Sequence, residues 1–112
     1  MSIKTTLEGN IIIIEAEDKR LDMQSVPAFK DSVIGQLAPG KSIVLDLRAV
    51  DFIDSTGLGA LLAILRRVKE TDGTMVLVEV SEQTLAMFRL VKMTRIFDIY
   101  ATREEALNLM NR

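Results

Sequence analysis

The sequence contains no cysteine and no histidine. Without cysteine there are no disulfides, no thiolate metal sites and no thiol nucleophile. Without histidine, neither a Ser-His-Asp nor a Cys-His catalytic arrangement can be built, and the commonest metal ligand is missing. Zinc or copper would have to rest on carboxylates, which both metals disfavour. Aromatics are scarce, four Phe and one Tyr, and no cluster of them would stack bases. The 14 basic and 16 acidic residues are interspersed, so no Lys/Arg stripe marks a nucleic-acid face. The aliphatic run Ile11 to Ile14 is far too short to cross a bilayer. Met1-Ser2-Ile3-Lys4-Thr5 carries no apolar signal core. The expectation is a soluble cytoplasmic protein with no nucleic-acid or membrane partner, whose partner is another protein.

Of 112 residues, 48% are apolar, enough for one core without staples. A single domain over 1–112 is expected. Ile3 to Leu7 and Asn10 to Glu15 read as strands around the tight turn Glu8-Gly9-Asn10. The four consecutive isoleucines imply a strand buried on both faces. Lys19-Arg20-Leu21-Asp22 follows as a loop. A first helix is expected from about Ser25 to Leu37, capped by Ser25, with Pro27 in its first turn and Pro39-Gly40 as its stop. Val26, Phe29, Val33 and Leu37 share its inner face. Ile43 to Leu47 is a third strand, and a second helix runs over roughly Thr56 to Thr71 before Asp72-Gly73. Arg66, Arg67 and Lys69 suit the negative end of that helix. Met75 to Val80 is a fourth strand. Ser81 caps a third helix carrying Leu85, Phe88 and Val91, and Ile96 to Tyr100 is a fifth strand. Thr102-Arg103-Glu104-Glu105 is a capping box opening a short last helix with Ala106, Leu107 and Met110. The order predicts an α/β fold: a small mixed sheet of about five strands, with an antiparallel N-terminal hairpin, packed with about four helices. The six methionines are scattered and read as core filler.

In the second helix, Leu58, Leu61, Leu62, Leu65 and Val68 form one apolar stripe. On a wheel of about 100° per residue the stripe faces the sheet and Thr56, Ala60, Ala63 and Arg67 lie opposite. Small residues there either admit a partner's backbone or simply tolerate solvent. Asp54-Ser55-Thr56-Gly57-Leu58 stands where this helix begins. Ser and Asp are ordinary N-cap residues. The same position, with unpaired N–H groups and the positive end of the dipole, also suits a phosphate on Ser55. The residues by themselves leave both readings open.

The stretch Val50-Asp51-Phe52-Ile53-Asp54-Ser55-Thr56-Gly57-Leu58-Gly59-Ala60-Leu61-Leu62 resembles the signature of the bacterial anti-sigma factor antagonists, members of the STAS domain family. Arg20-Leu21-Asp22 resembles the family's short motif after the second strand. Ile43 to Leu47, Gly73 to Val80 and Arg95 to Tyr100 resemble its later strands. Val91-Lys92-Met93 departs from the family, which usually has a small residue and glycine before a Leu. The resemblance implies a STAS domain in which Ser55 is the phosphoacceptor. It implies that the unmodified form binds an anti-sigma factor and releases a sigma factor. That anti-sigma factor would be a serine kinase of histidine-kinase-type ATPase fold, and phosphorylation of Ser55 would end the complex. A PP2C-type phosphatase would reset the switch. Read locally, Asp22 caps the first helix or its turn; by resemblance its loop adjoins the phosphoacceptor. Asp54 would orient the Ser55 hydroxyl. The partner-binding surface implied is Asp22, Asp54, Ser55, Thr56, Gly57, Gly59, Ala60 and Ala63. The chain itself needs no catalytic residue, cofactor or metal.

Three rival readings follow. An acyl-transfer enzyme lacks the Gly-x-Ser-x-Gly elbow, because Ile53 holds the first glycine position. Gly57-Leu58-Gly59-Ala60-Leu61-Leu62 is a near miss to a dinucleotide fingerprint, with Leu62 at the third glycine, and no P-loop is present. A STAS scaffold or accessory subunit of a signalling or transport complex would share the fold.

Overall fold

The computed structural model describes residues 3–111. Residues 1 and 2, from the N-terminal segment, and residue 112, all part of the expected domain, lie outside the described residues. In chain order the elements are β1 (Ile3–Glu8), β2 (Ile11–Ala16), β3 (Arg20–Leu21), α1 (Val26–Ile34), β4 (Ser42–Asp46), β5 (Phe52–Ile53), α2 (Ser55–Glu70), β6 (Met75–Val78), α3 (Glu82–Leu90), β7 (Asp98–Tyr100) and α4 (Arg103–Met110). β1 and β2 pair antiparallel across a two-residue turn in which Gly9 takes φ +60°, free of cost for glycine. β2–β4, β4–β6 and β6–β7 pair parallel, so the five-stranded sheet runs β1-β2-β4-β6-β7. The expected architecture is present: a mixed sheet, its antiparallel hairpin and four helices.

The isoleucine run is buried on both faces, as its continuity predicts. Ile12 and Ile14 pack with Phe29, Val33, Leu61, Ile64 and Phe88 on the side of α1, α2 and α3. Ile11 and Ile13 pack with Val44, Val76, Val78 and Ala106 on the side of α4. Each buried isoleucine contributes about 1.5–3 kcal/mol of hydrophobic stabilisation. Thr102 caps α4 by accepting the Glu105 N–H at 3.1 Å. A charge cluster then clamps α4 to the sheet. Arg103 Nη2 lies 2.8 Å from the buried carboxylate of Asp46 and 3.3 Å from Glu15, while Arg48 reaches Glu79 at 3.2 Å. The Asp46 hydrogen bond holds the Arg103 guanidinium above its ordinary pKa.

Several local expectations change. Ser25 stands at the N-cap position of α1, but its side chain makes no capping hydrogen bond. Its hydroxyl donates to the Arg20 carbonyl at 2.6 Å instead, and the helix ends at Ile34, three residues before Leu37. The expected loop Lys19–Asp22 contains β3, which pairs parallel with β5 in a two-stranded sheet of its own. Such short strands show no periodicity to read. β6 stops at Val78 because Glu79 turns to φ +57°. α3 ends at Leu90, and Lys92 at φ +62° reverses the chain into a 3-10 turn over Met93–Arg95. Val91 and Ile96, read as core and strand, are therefore exposed. Phe97 is buried in their place, stacked on Phe88 at 6.4 Å, and β7 starts at Asp98. Among the described residues no helix is long and apolar enough to cross a membrane.

Lys92 occupies the position of the expected glycine and holds the left-handed conformation that a side chain disfavours by about 1–2 kcal/mol. Lys92→Gly removes that strain but frees the unfolded chain. The expected result is a net gain of up to about 1 kcal/mol, read as a higher urea midpoint at unchanged slope.

Candidate functional site

Asp54 closes β5 and caps α2. Its backbone is extended (φ −98°, ψ −171°), and its carboxylate accepts the Gly57 N–H at 3.0 Å. The cap is therefore Asp54, and Ser55 becomes the first helical residue. Ser55 is exposed, and among the described residues its hydroxyl has no hydrogen-bond partner. Of the two candidate caps, Asp54 takes the role, which leaves the Ser55 oxygen available.

The two-stranded sheet brings the second loop to this point. Leu21 stands opposite Ile53, and its carbonyl accepts the Asp54 N–H at 3.2 Å. Asp22 and Asp54 each follow directly on the last residue of this paired register. Asp22 is tied down on every side. Its carboxylate accepts the N–H groups of Gln24 (3.1 Å) and Ser25 (3.2 Å) and the Arg20 Nε–H (3.2 Å). The Ser25 N–H is the main cause that holds its pKa below the usual 3.8. Asp22 thus organises its own turn. The Arg20 guanidinium also lies 4.2 Å above the ring of Phe52, which is 40% exposed. This Arg20–Phe52 stack was not foreseen, because it joins residues distant in sequence through strands too short to predict. Asp18, Lys19, Arg20, Asp22, Gln24 and Ser25 line a depression of about 340 Å³ beside it.

The helix face needs correction. The buried residues of α2 are Gly57, Ala60, Leu61, Ile64, Leu65 and Val68. Ala60, expected on the outer side, is 4% exposed and lies in the core. Gly57 is buried as well: a side chain there would collide with the Leu21 carbonyl oxygen and lie 2.7 Å from Ile53 Cγ2. The stripe is rotated by about one residue because α2 packs against α1 as well as the sheet. Leu58 and Leu62 fall to its half-buried margins. Ser55 and Gly59 are exposed, and Thr56 and Ala63 are half-buried. A Cβ at Gly59 would meet nothing within 4 Å. The accessible surface around Ser55 is therefore Asp22, Asp54, Thr56, Gly59 and Ala63, and the expected members Gly57 and Ala60 lie beneath it. No group of three or more acidic side chains is placed to hold a metal ion among the described residues.

The STAS domain pattern matches residues 2–106. The chain belongs to the STAS domain family. Its relatives include the Anti-sigma-B factor antagonist of Bacillus subtilis, 29% identical over 84 residues, which cover 75% of this chain and 77% of that one. The crystal structure of the Thermotoga maritima protein TM1081 matches with a TM-score of 0.89 at 27% identity, covering 98% of this chain and 95% of that chain. An anti-sigma-factor antagonist (STAS) domain protein of Planctomyces limnophilus gives 0.85 at 25% identity, covering 96% of both. In this STAS domain the segment that resembles the antagonist signature forms the short strand β5 and the capped start of α2.

Gly57→Ala is expected to destabilise by about 1–3 kcal/mol, because the added methyl has nowhere to go. Gly59→Ala is expected to be stabilising by up to about 1 kcal/mol through helix propensity. Paired urea melts compare them. Asp22 has a folded pKa below its unfolded value. Its contribution to stability is therefore complete above pH 3.8 and disappears as pH falls through the folded value. Wild type should exceed Asp22→Asn at neutral pH, and the gap should close under acid in melts followed across that range.

Proposed function

We propose that this chain is an anti-sigma factor antagonist that works by partner switching in the cytoplasm. In its unmodified form it binds an anti-sigma factor of histidine-kinase-type ATPase fold and displaces a sigma factor. The bound kinase, with ATP and Mg²⁺, transfers the γ-phosphoryl group to Ser55 Oγ: the new P–O bond forms, ADP leaves, and the hydroxyl proton passes to the kinase. A PP2C-type phosphatase hydrolyses the ester and restores the hydroxyl. The chain contributes recognition and an acceptor, and no catalytic group.

The observation that carries this reading is the exposed, unpartnered Ser55 hydroxyl at the first turn of a helix already capped by Asp54. Phosphorylation adds a charge of about −1.5 to −2 and three acceptor oxygens. The helix terminus tolerates that charge. A partner surface fitted to the neutral hydroxyl does not, since it must desolvate an unpaired dianion next to Asp54 and Asp22. A thousandfold loss of affinity needs only about 4 kcal/mol. Asp22, Asp54, Ser55, Thr56, Gly59 and Ala63 form the contact surface in this reading. Gly57 and Ala60 support it from below.

Ser55→Ala is expected to fold, bind the kinase and stay bound with ATP present. Ser55→Asp is expected to fold and bind at least a hundredfold more weakly, about 2.7 kcal/mol. Calorimetric titration against the anti-sigma kinase reads both, and mass spectrometry after incubation with ATP locates the phosphoryl group. Equal binding by the two variants removes the charge switch and leaves the scaffold reading in its place.

A further inference from the structure

We propose that two copies of this chain pair antiparallel through their β1 edges, in the register that sets Lys4 of one copy opposite Glu8 of the other. The inference is independent of the Ser55 reading.

β1 is the end strand of the five-stranded sheet, and among the described residues no strand lies on its outer side. Lys4, Thr5, Thr6, Leu7 and Glu8 are all exposed, Leu7 at 62%. Monomeric proteins blunt such edges with proline, bulges or very short strands. β1 has none of these. It is six residues long, contains no proline, and its register with β2 is unbroken from Ile3 to Glu8. Its protection is two charges of opposite sign four residues apart, Lys4 and Glu8, on one face of the strand. Neither has an ion-pair partner among the described residues.

That spacing is self-complementary. Alternate residues of β1 direct their N–H and C=O toward β2, so only every second register is open to a new strand. In the open register centred on Thr6, Lys4 faces Glu8, Thr5 faces Leu7, and Thr6 faces itself on the two-fold axis. Twofold symmetry makes the Lys4–Glu8 pair twice. In the open register centred on Thr5, Lys4 faces Thr6, and both Glu8 side chains stay unmatched. Charge pairing across the strands therefore selects the first. The joined sheet would have ten strands, with α4 of both copies on one face. α2 packs against α1, β5 and β6, so Ser55 stays accessible in the pair. A seam of five residues per copy is smaller than a standard interface, so the dimer dissociates on dilution.

The chain has no cysteine, which makes single-cysteine variants clean reporters. Sedimentation over about three decades of concentration should show monomer passing to dimer. Lys4→Glu and Glu8→Lys should each weaken the dimer about tenfold, and the double exchange should restore it. Under mild oxidation Thr6→Cys should cross-link much faster than Thr5→Cys. A chain that stays monomeric throughout, single charge variants that dimerise as wild type does, a double exchange that stays weak, or faster cross-linking through position 5 would each overturn the proposal. The cysteine pair decides the register even where a charge variant folds poorly.

Discussion

The Leu21 carbonyl oxygen accepts the Asp54 N–H and occupies the space where a side chain on residue 57 would stand. The Gly57 N–H in turn donates to the Asp54 carboxylate. Three backbone positions from two distant segments are thereby locked together. The start of α2, the turn containing Asp22 and the exposed Ser55 all take their positions from this contact. A larger residue at 57 would push β3 away from the helix and carry the Asp22 turn with it. The reactive-looking hydroxyl therefore sits on a rigid support, although the flanking strands are two residues long.

Charge is arranged differently near α4 and near Ser55. Near α4, the carboxylates of Glu15, Asp46 and Glu79 are matched by Arg48 and Arg103. Asp46 is fully buried, and loss of either partner in such a pair leaves an uncompensated charge in a low-dielectric setting, typically a cost of about 3–5 kcal/mol. That cluster holds α4 in place. Near Ser55, Arg20 serves Asp22, while Asp54 spends its carboxylate on the helix N–H. The surface around the hydroxyl is thus small, acidic and sterically open. In the proposed switch, those properties would favour a close-fitting neutral partner and disfavour the same partner once a phosphate is present.

The long elements were legible because their patterns are dense. Four isoleucines in a row announce a strand buried on both faces, and the capping residues Ser81 and Thr102 mark helix starts that the hydrogen bonds bear out. The errors fall where a single backbone angle decides. Lys92 and Glu79 take left-handed values that their residue types do not advertise, and the elements beside them end early. Ser25 looked like a cap but its hydroxyl is committed to Arg20. The rotation of α2 was hidden for another reason: a wheel drawn for one packing partner misplaces a helix that has two.

From residue order and chemistry came the fold class, the parallel order of the later strands, the absence of thiol and imidazole chemistry, and the segment around Ser55. Those follow from local patterning and composition, which act over a few residues. Tertiary structure decided that Asp54 rather than Ser55 caps the helix, that Gly57 and Ala60 are packing positions, and that Arg20 and the Asp22 turn come to the strand pair that precedes Ser55. The burial of Gly57 and the placing of Asp22 and Arg20 depend on β3 meeting β5, and that of Ala60 on α2 meeting α1; both are contacts between distant segments that no local preference specifies.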